Sequence, residues 1–67
     1  MIHVTVNGEP RQFDRELTVA QLLDAMALAN RRVALERNGE IVPRSRFPEQ
    51  RLENGDRLEI VVAVGGG

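Results

Sequence analysis

"RLEIVVAVGGG", residues 57–67, holds the most hydrophobic run of the chain and then three glycines. Leu58, Ile60, Val61, Val62, Ala63 and Val64 form a nearly continuous apolar series, mostly β-branched. A run of this length and composition predicts a strand over 57–64, covered on one face and partly covered on the other. Such a strand belongs in the middle of a sheet. The other residues of a 67-residue chain must supply its neighbours and its cover.

The neighbours are visible upstream. "IHVTV" (2–6) alternates apolar and polar residues, the period of a half-buried strand. Asn7-Gly8 follows, and a type I′ hairpin turn needs positive φ at both of its central residues. A second strand is therefore expected at 9–13, "EPRQF". Pro10 cannot donate to a ladder, which assigns that strand to an edge. "RVALER" (32–37), Asn38-Gly39 and "EIVP" (40–43) repeat the hairpin chemistry. "RSRFPEQRLE" (44–53) has no clean period and predicts a loop with one short helical turn, anchored by Phe47 and Leu52. Asn54-Gly55-Asp56 predicts another turn.

The cover is "TVAQLLDAMAL" (18–28). Val19, Leu22, Leu23 and Met26 fall on one helical face. Thr18 and Gln21 have the spacing of a capping box. The pattern predicts about three turns, stopped at Asn30, with Arg31 and Arg32 at the negative end of the helix dipole. The order strand, strand, helix, strand, strand, strand gives an α+β domain. One helix packs across a mixed five-stranded sheet with the first and last strands side by side, a ubiquitin-like β-grasp. One domain over 1–64 is expected, followed by a flexible glycine tail at 65–67.

Composition narrows the function. Nine arginines face ten acids, so the chain lacks the basic stripe of a nucleic-acid binder. No apolar run approaches the roughly 20 residues that span a bilayer. Met1 leads straight into strand alternation rather than a signal peptide, so the cytoplasm is the expected location. Cysteine is absent, which removes disulfides and thiolate metal sites. His3 has no ligand-spaced partner and no metal site is expected. The acids Glu36, Glu40, Glu53, Asp56 and Glu59 are scattered among arginines and read as a solvated surface. Lysine is also absent. Composition bias accounts for that; a chemical reading is that the chain has no side-chain amine to attack an activated acyl group.

Gly65, Gly66 and Gly67 add nothing to a core. An inert frayed end is one reading. The other is chemical. A free carboxylate is a poor electrophile, and activating it means placing it in another protein's active site. Three extended residues reach roughly 10 Å, and glycine has no Cβ to clash in a narrow channel. If Leu58, Ile60 and Val62 face the helix, Val61 and Ala63 lie on the opposite face and are candidates for partner docking. Arg44, Arg46 and Arg57 are candidates to rim that patch.

The helix start "TVAQLL", "NGEIVPR" (38–44), "NGDRLEIV" (54–61) and terminal Gly66–Gly67 resemble the thiamine-pathway sulfur carriers, the ThiS family of ubiquitin-like proteins, over nearly the whole chain. The resemblance implies a carrier and not an enzyme. An E1-like (ThiF-like) adenylyltransferase would use ATP and Mg²⁺ to adenylate the carboxylate of Gly67. Sulfur from a cysteine desulfurase route would displace AMP and leave a thiocarboxylate. A ThiG-like thiazole synthase would then take up the sulfur. Gly65 and Gly66 would give reach, the carrier would bind no cofactor itself, and it would be monomeric when free. Three other readings remain open: a carrier for molybdopterin or tRNA thiolation, a β-grasp binding module with an inert tail, and a ubiquitin-type tag.

Overall fold

The computed structural model describes residues 1–63; the end of the predicted last strand, Val64, and the glycine tail lie outside them. The elements are β1 (Ile2–Val6), β2 (Glu9–Phe13), α1 (Val19–Ala25), β3 (Val33–Arg37), β4 (Glu40–Ile41), a 3₁₀ turn (Arg44–Arg46) and β5 (Arg57–Val62). They form a five-stranded sheet in the order β2-β1-β5-β3-β4. Only β1 and β5 run parallel; the other pairs are antiparallel. This is the mixed β-grasp sheet, with β1 and β5 adjacent and β5 central.

Burial follows the alternation. Ile2, Val4 and Val6 of β1, Leu35 of β3, and Leu58 and Ile60 of β5 are buried with Val19, Leu22 and Leu23 of the helix. Phe47 and Leu52 pin the 44–53 segment to this core. Val62 is half-buried at the sheet's end. Thr5 lies opposite Pro10 and sends its own amide the other way, to Asp56 O at 2.9 Å. Pro10 nitrogen therefore faces the open edge, where no donor is needed.

Asparagine does two jobs at the hairpins. Asn7-Gly8 and Asn38-Gly39 have φ of 51° and 83°, and 52° and 87°, the type I′ pattern. Each Asn side chain then joins β5. Asn7 donates Nδ2 to Ile60 O (3.1 Å) and accepts from Ile60 N (2.8 Å), which extends the β1–β5 ladder beyond the last residue of β1. Asn38 Oδ1 accepts from Arg57 N at 2.9 Å. At the third pair only Gly55 is left-handed, and Asn54 Oδ1 accepts the His3 amide at 2.7 Å.

The helix is shorter than its hydrophobic pattern. Its start is a complete capping box: Gln21 N donates to Thr18 Oγ1 (3.2 Å) and Thr18 N to Gln21 Oε1 (2.8 Å). The next free amides, Val19 N and Ala20 N, donate to Gln50 O and Phe47 O. The segment without a period is thus the helix's second cap. The stop is at Ala27 (φ 61°), not Asn30. Ala27 N donates to Asp24 O and Leu28 N to Leu23 O, the two bonds of a Schellman motif. Leu28 folds back onto the core, so it prolongs the apolar pattern without belonging to the helix. Arg31 and Arg32 lie beyond the last turn, which contains no basic residue, and cannot serve the dipole.

A non-glycine residue in the left-handed region costs roughly 1–2 kcal/mol, partly offset by the unfolded-state entropy that glycine adds. Ala27→Gly is expected to stabilise the protein by about 1 kcal/mol, read as a higher urea midpoint at unchanged m. A lower midpoint would refute the strain at this cap.

Candidate functional site

The described part of the site is the open face of the sheet together with the end of β5 that leads towards the glycines. Because β5 alternates, Leu58 and Ile60 fill the core while Arg57, Glu59 and Val61 point away from the helix. Val61 is 65% exposed and Ala63 is exposed. Register places Ala34 opposite Val61, Glu36 opposite Glu59 and Ile41 opposite Glu36. Val61, Ala34 and Ile41 therefore share one uncovered face, with Ile41 64% exposed. Ladder bonding continues past β5, since Ala63 N donates to Arg32 O at 2.8 Å. The chain is thus still held, at Ala63, to the residue just before β3.

The predicted docking residues do not all meet. Val61 and Ala63 fall on this face. Arg44 is exposed on the 3₁₀ turn that follows β4, and β4 is the edge strand, with β3 between it and β5. Arg46 pairs with Glu49 at 3.5 Å. Arg57 lies on the open face beside Thr5. Gly65, Gly66 and Gly67 lie outside the described residues. Among the described residues no group of His, Cys, Asp and Glu could hold a metal ion, and no helix is long and apolar enough to cross a membrane.

One acid departs from the expected solvated surface. Asp56 is 5% exposed. Its carboxylate accepts from Arg37 Nε (2.7 Å), Asn38 Nδ2 (3.0 Å) and Glu53 N (2.8 Å). These bonds tie the β3–β4 hairpin to the start of β5. Burial pushes the carboxyl up, but the bonds from Arg37, the Glu53 amide and Asn38, with the Arg37 charge, outweigh it and hold the group below its ordinary value. "NGD" announces a turn but not a buried carboxylate, because its partners are 3 to 19 residues away. The face-sharing of Glu36, Glu59, Ala34 and Ile41 was equally invisible, since it depends on strand register.

This geometry defines a small β-grasp domain whose central strand completes the core on one side and lines a bare sheet face on the other. Similarity to known proteins places it more narrowly. The sequence profile of the ThiS family matches residues 4–67. The chain belongs to the ThiS family of sulfur carriers. It is 38% identical over 63 residues to the sulfur carrier protein ThiS of Bacillus subtilis, covering 92% of this chain and 96% of that one. The crystal structure of the thiamine biosynthesis protein ThiS from Geobacter metallireducens superposes with a TM-score of 0.83 at 36% identity, covering 98% of this chain and 100% of that one. It is also 45% identical over 64 residues to a thiazole synthase of Paramagnetospirillum magneticum; that match takes in 96% of this chain but spans only 20% of the synthase's length.

Asp56 supplies a pH test. Its folded-state value is depressed, so its stabilisation is present above the unfolded value of about 3.9 and is lost as pH falls through the folded value. Asp56→Asn should cost about 3 kcal/mol at neutral pH, the scale for removing one partner of a buried ion pair. Urea unfolding at pH 7 and near pH 2 should show the gap between wild type and variant closing in acid. A gap that does not change with pH would contradict this role.

Proposed function

We propose that this chain carries sulfur for thiazole formation in thiamine biosynthesis as a thiocarboxylate on Gly67. The observation that carries the reading is that the family match runs through the terminal glycines to Gly67. The fold supports it: the described core is complete by Ile60, upstream of the glycines in the sequence.

The chemistry divides between carrier and partners. A carboxylate resists attack because its charge is delocalised over both oxygens. In an ATP- and Mg²⁺-dependent partner, an E1-like (ThiF-like) adenylyltransferase, a Gly67 oxygen attacks the α-phosphorus of ATP and pyrophosphate leaves. A persulfide from a cysteine desulfurase route then adds to the acyl carbon and AMP leaves; a second thiol cleaves the resulting acyl disulfide, releasing the thiocarboxylate and leaving a disulfide on the sulfur donor. ATP and Mg²⁺ belong to that partner, not to this chain. The carrier's contribution is presentation: Gly65 and Gly66 offer no Cβ to a narrow channel, and Val61 and Ala63 dock the folded body. Arg44, on the turn after the edge strand β4, is a further contact. The likeness to a thiazole synthase many times longer supports a ThiG-like protein as the sulfur acceptor, and cytoplasmic residence fits these partners.

The test is an intact mass after incubation with ATP, Mg²⁺, the adenylyltransferase and a sulfur source. Replacement of one oxygen by sulfur, mapped to Gly67, is the expected result. An unchanged mass, with an adenylyltransferase active on another carrier, would overturn the reading and favour a binding module with an inert tail.

A further inference from the structure

The open face holds one arrangement that serves neither the core nor the tail. Glu36 and Glu59 sit directly opposite each other on β3 and β5, and like charges in that position destabilise a sheet. Among the described residues neither forms an ion pair. With Asn38, Gly39 and Arg57 they line an open depression of about 390 Å³. Two carboxylates against one guanidinium leave it negative. The exposed apolar residues Val61, Ala34 and Ile41 border the pair along both strands and on β4. Val61 and Glu59 stand on the strand that leads to the glycines.

We propose that this face docks a partner protein that seats an arginine or lysine over the Glu36–Glu59 pair, within a ring of apolar contacts to Val61, Ala34 and Ile41. The inference rests on the carrier reading and adds the charge of the surface that the adenylating partner must present. A cation between the two carboxylates relieves a repulsion that the free protein retains, so the pair contributes to complex formation at the expense of the fold. Other occupants fit the charge less well. A second copy packed face to face would bring four carboxylates together, and nucleic acid would be repelled. The apolar rim supplies contact area and the acidic pair supplies orientation and encounter rate, the usual division at protein interfaces.

The experiment is equilibrium binding of the full chain to the adenylyltransferase of the same organism, without ATP, at low and high salt. The double variant Glu36→Gln/Glu59→Gln should bind about tenfold more weakly at low salt and lose most of the salt dependence. It should also melt at a higher temperature than wild type, which a merely structural role for the pair would not give. A control, Glu9→Gln/Asp14→Asn, removes the same charge from β2 and the residue just beyond it and should bind like wild type. Unchanged affinity in the Glu36/Glu59 variant, equal weakening in the control, or failure of wild type to bind would each overturn the proposal. The carrier reading is judged separately by the mass of Gly67: a wild-type shift with charge-insensitive binding removes this inference alone.

Discussion

The narrow joint in this fold is the parallel seam between β1 and β5. Its backbone register spans two residue pairs, Thr5 with Arg57 and Val6 with Leu58, yet it joins the two halves of the sheet. Asn7 lengthens it. Having turned left-handed to begin the hairpin, its amide still pairs with both Ile60 N and Ile60 O. Aspartate would favour the same turn but would lack the donor, so the seam selects asparagine. At the other end, Asp56 gathers Arg37, Asn38 and the Glu53 amide, while its backbone oxygen accepts from Thr5. Burying that carboxylate is tolerable because three donors compensate it. The helix can then be short: seven residues hold because both ends are tied by hydrogen bonds and one face by the core.

With the seam fixed, β5 has two duties. Its inward side chains complete the core, and its outward ones, with Ala34, Glu36 and Ile41, make a surface the fold itself does not need. The strand that would be hardest to remove from the protein is therefore the one that carries the chain's last residues. In the proposed complex, a partner docked on Val61 and Glu59 would hold a rigid marker a few residues upstream of Gly67 in the sequence.

The period-two runs, the Asn-Gly turns, Pro10 at an edge and the capping box are local signals, and each was legible from neighbouring residues. The terminal glycines stood out because nothing about a core explains them. What was not legible depends on distant pairing. Leu28 prolongs the helical pattern because a Schellman turn folds it onto Leu23, and the stop falls on an alanine that no propensity would choose. The 44–53 segment lacks a period because it serves as a cap whose carbonyls meet Val19 and Ala20. Asp56 looks like any turn aspartate until Arg37 is brought to it. Glu36 and Glu59 lie far apart in the sequence and become a pair only through register.

The central claim is that folding and chemistry are separable along this chain, with the fold complete before the glycines and the chemistry resting on them. Removal of Gly66 and Gly67 tests it most directly, with Tm and sulfur transfer to a thiazole synthase measured on the same sample. The account predicts an unchanged Tm and complete loss of transfer. Retained transfer, or a substantial fall in Tm, would contradict it.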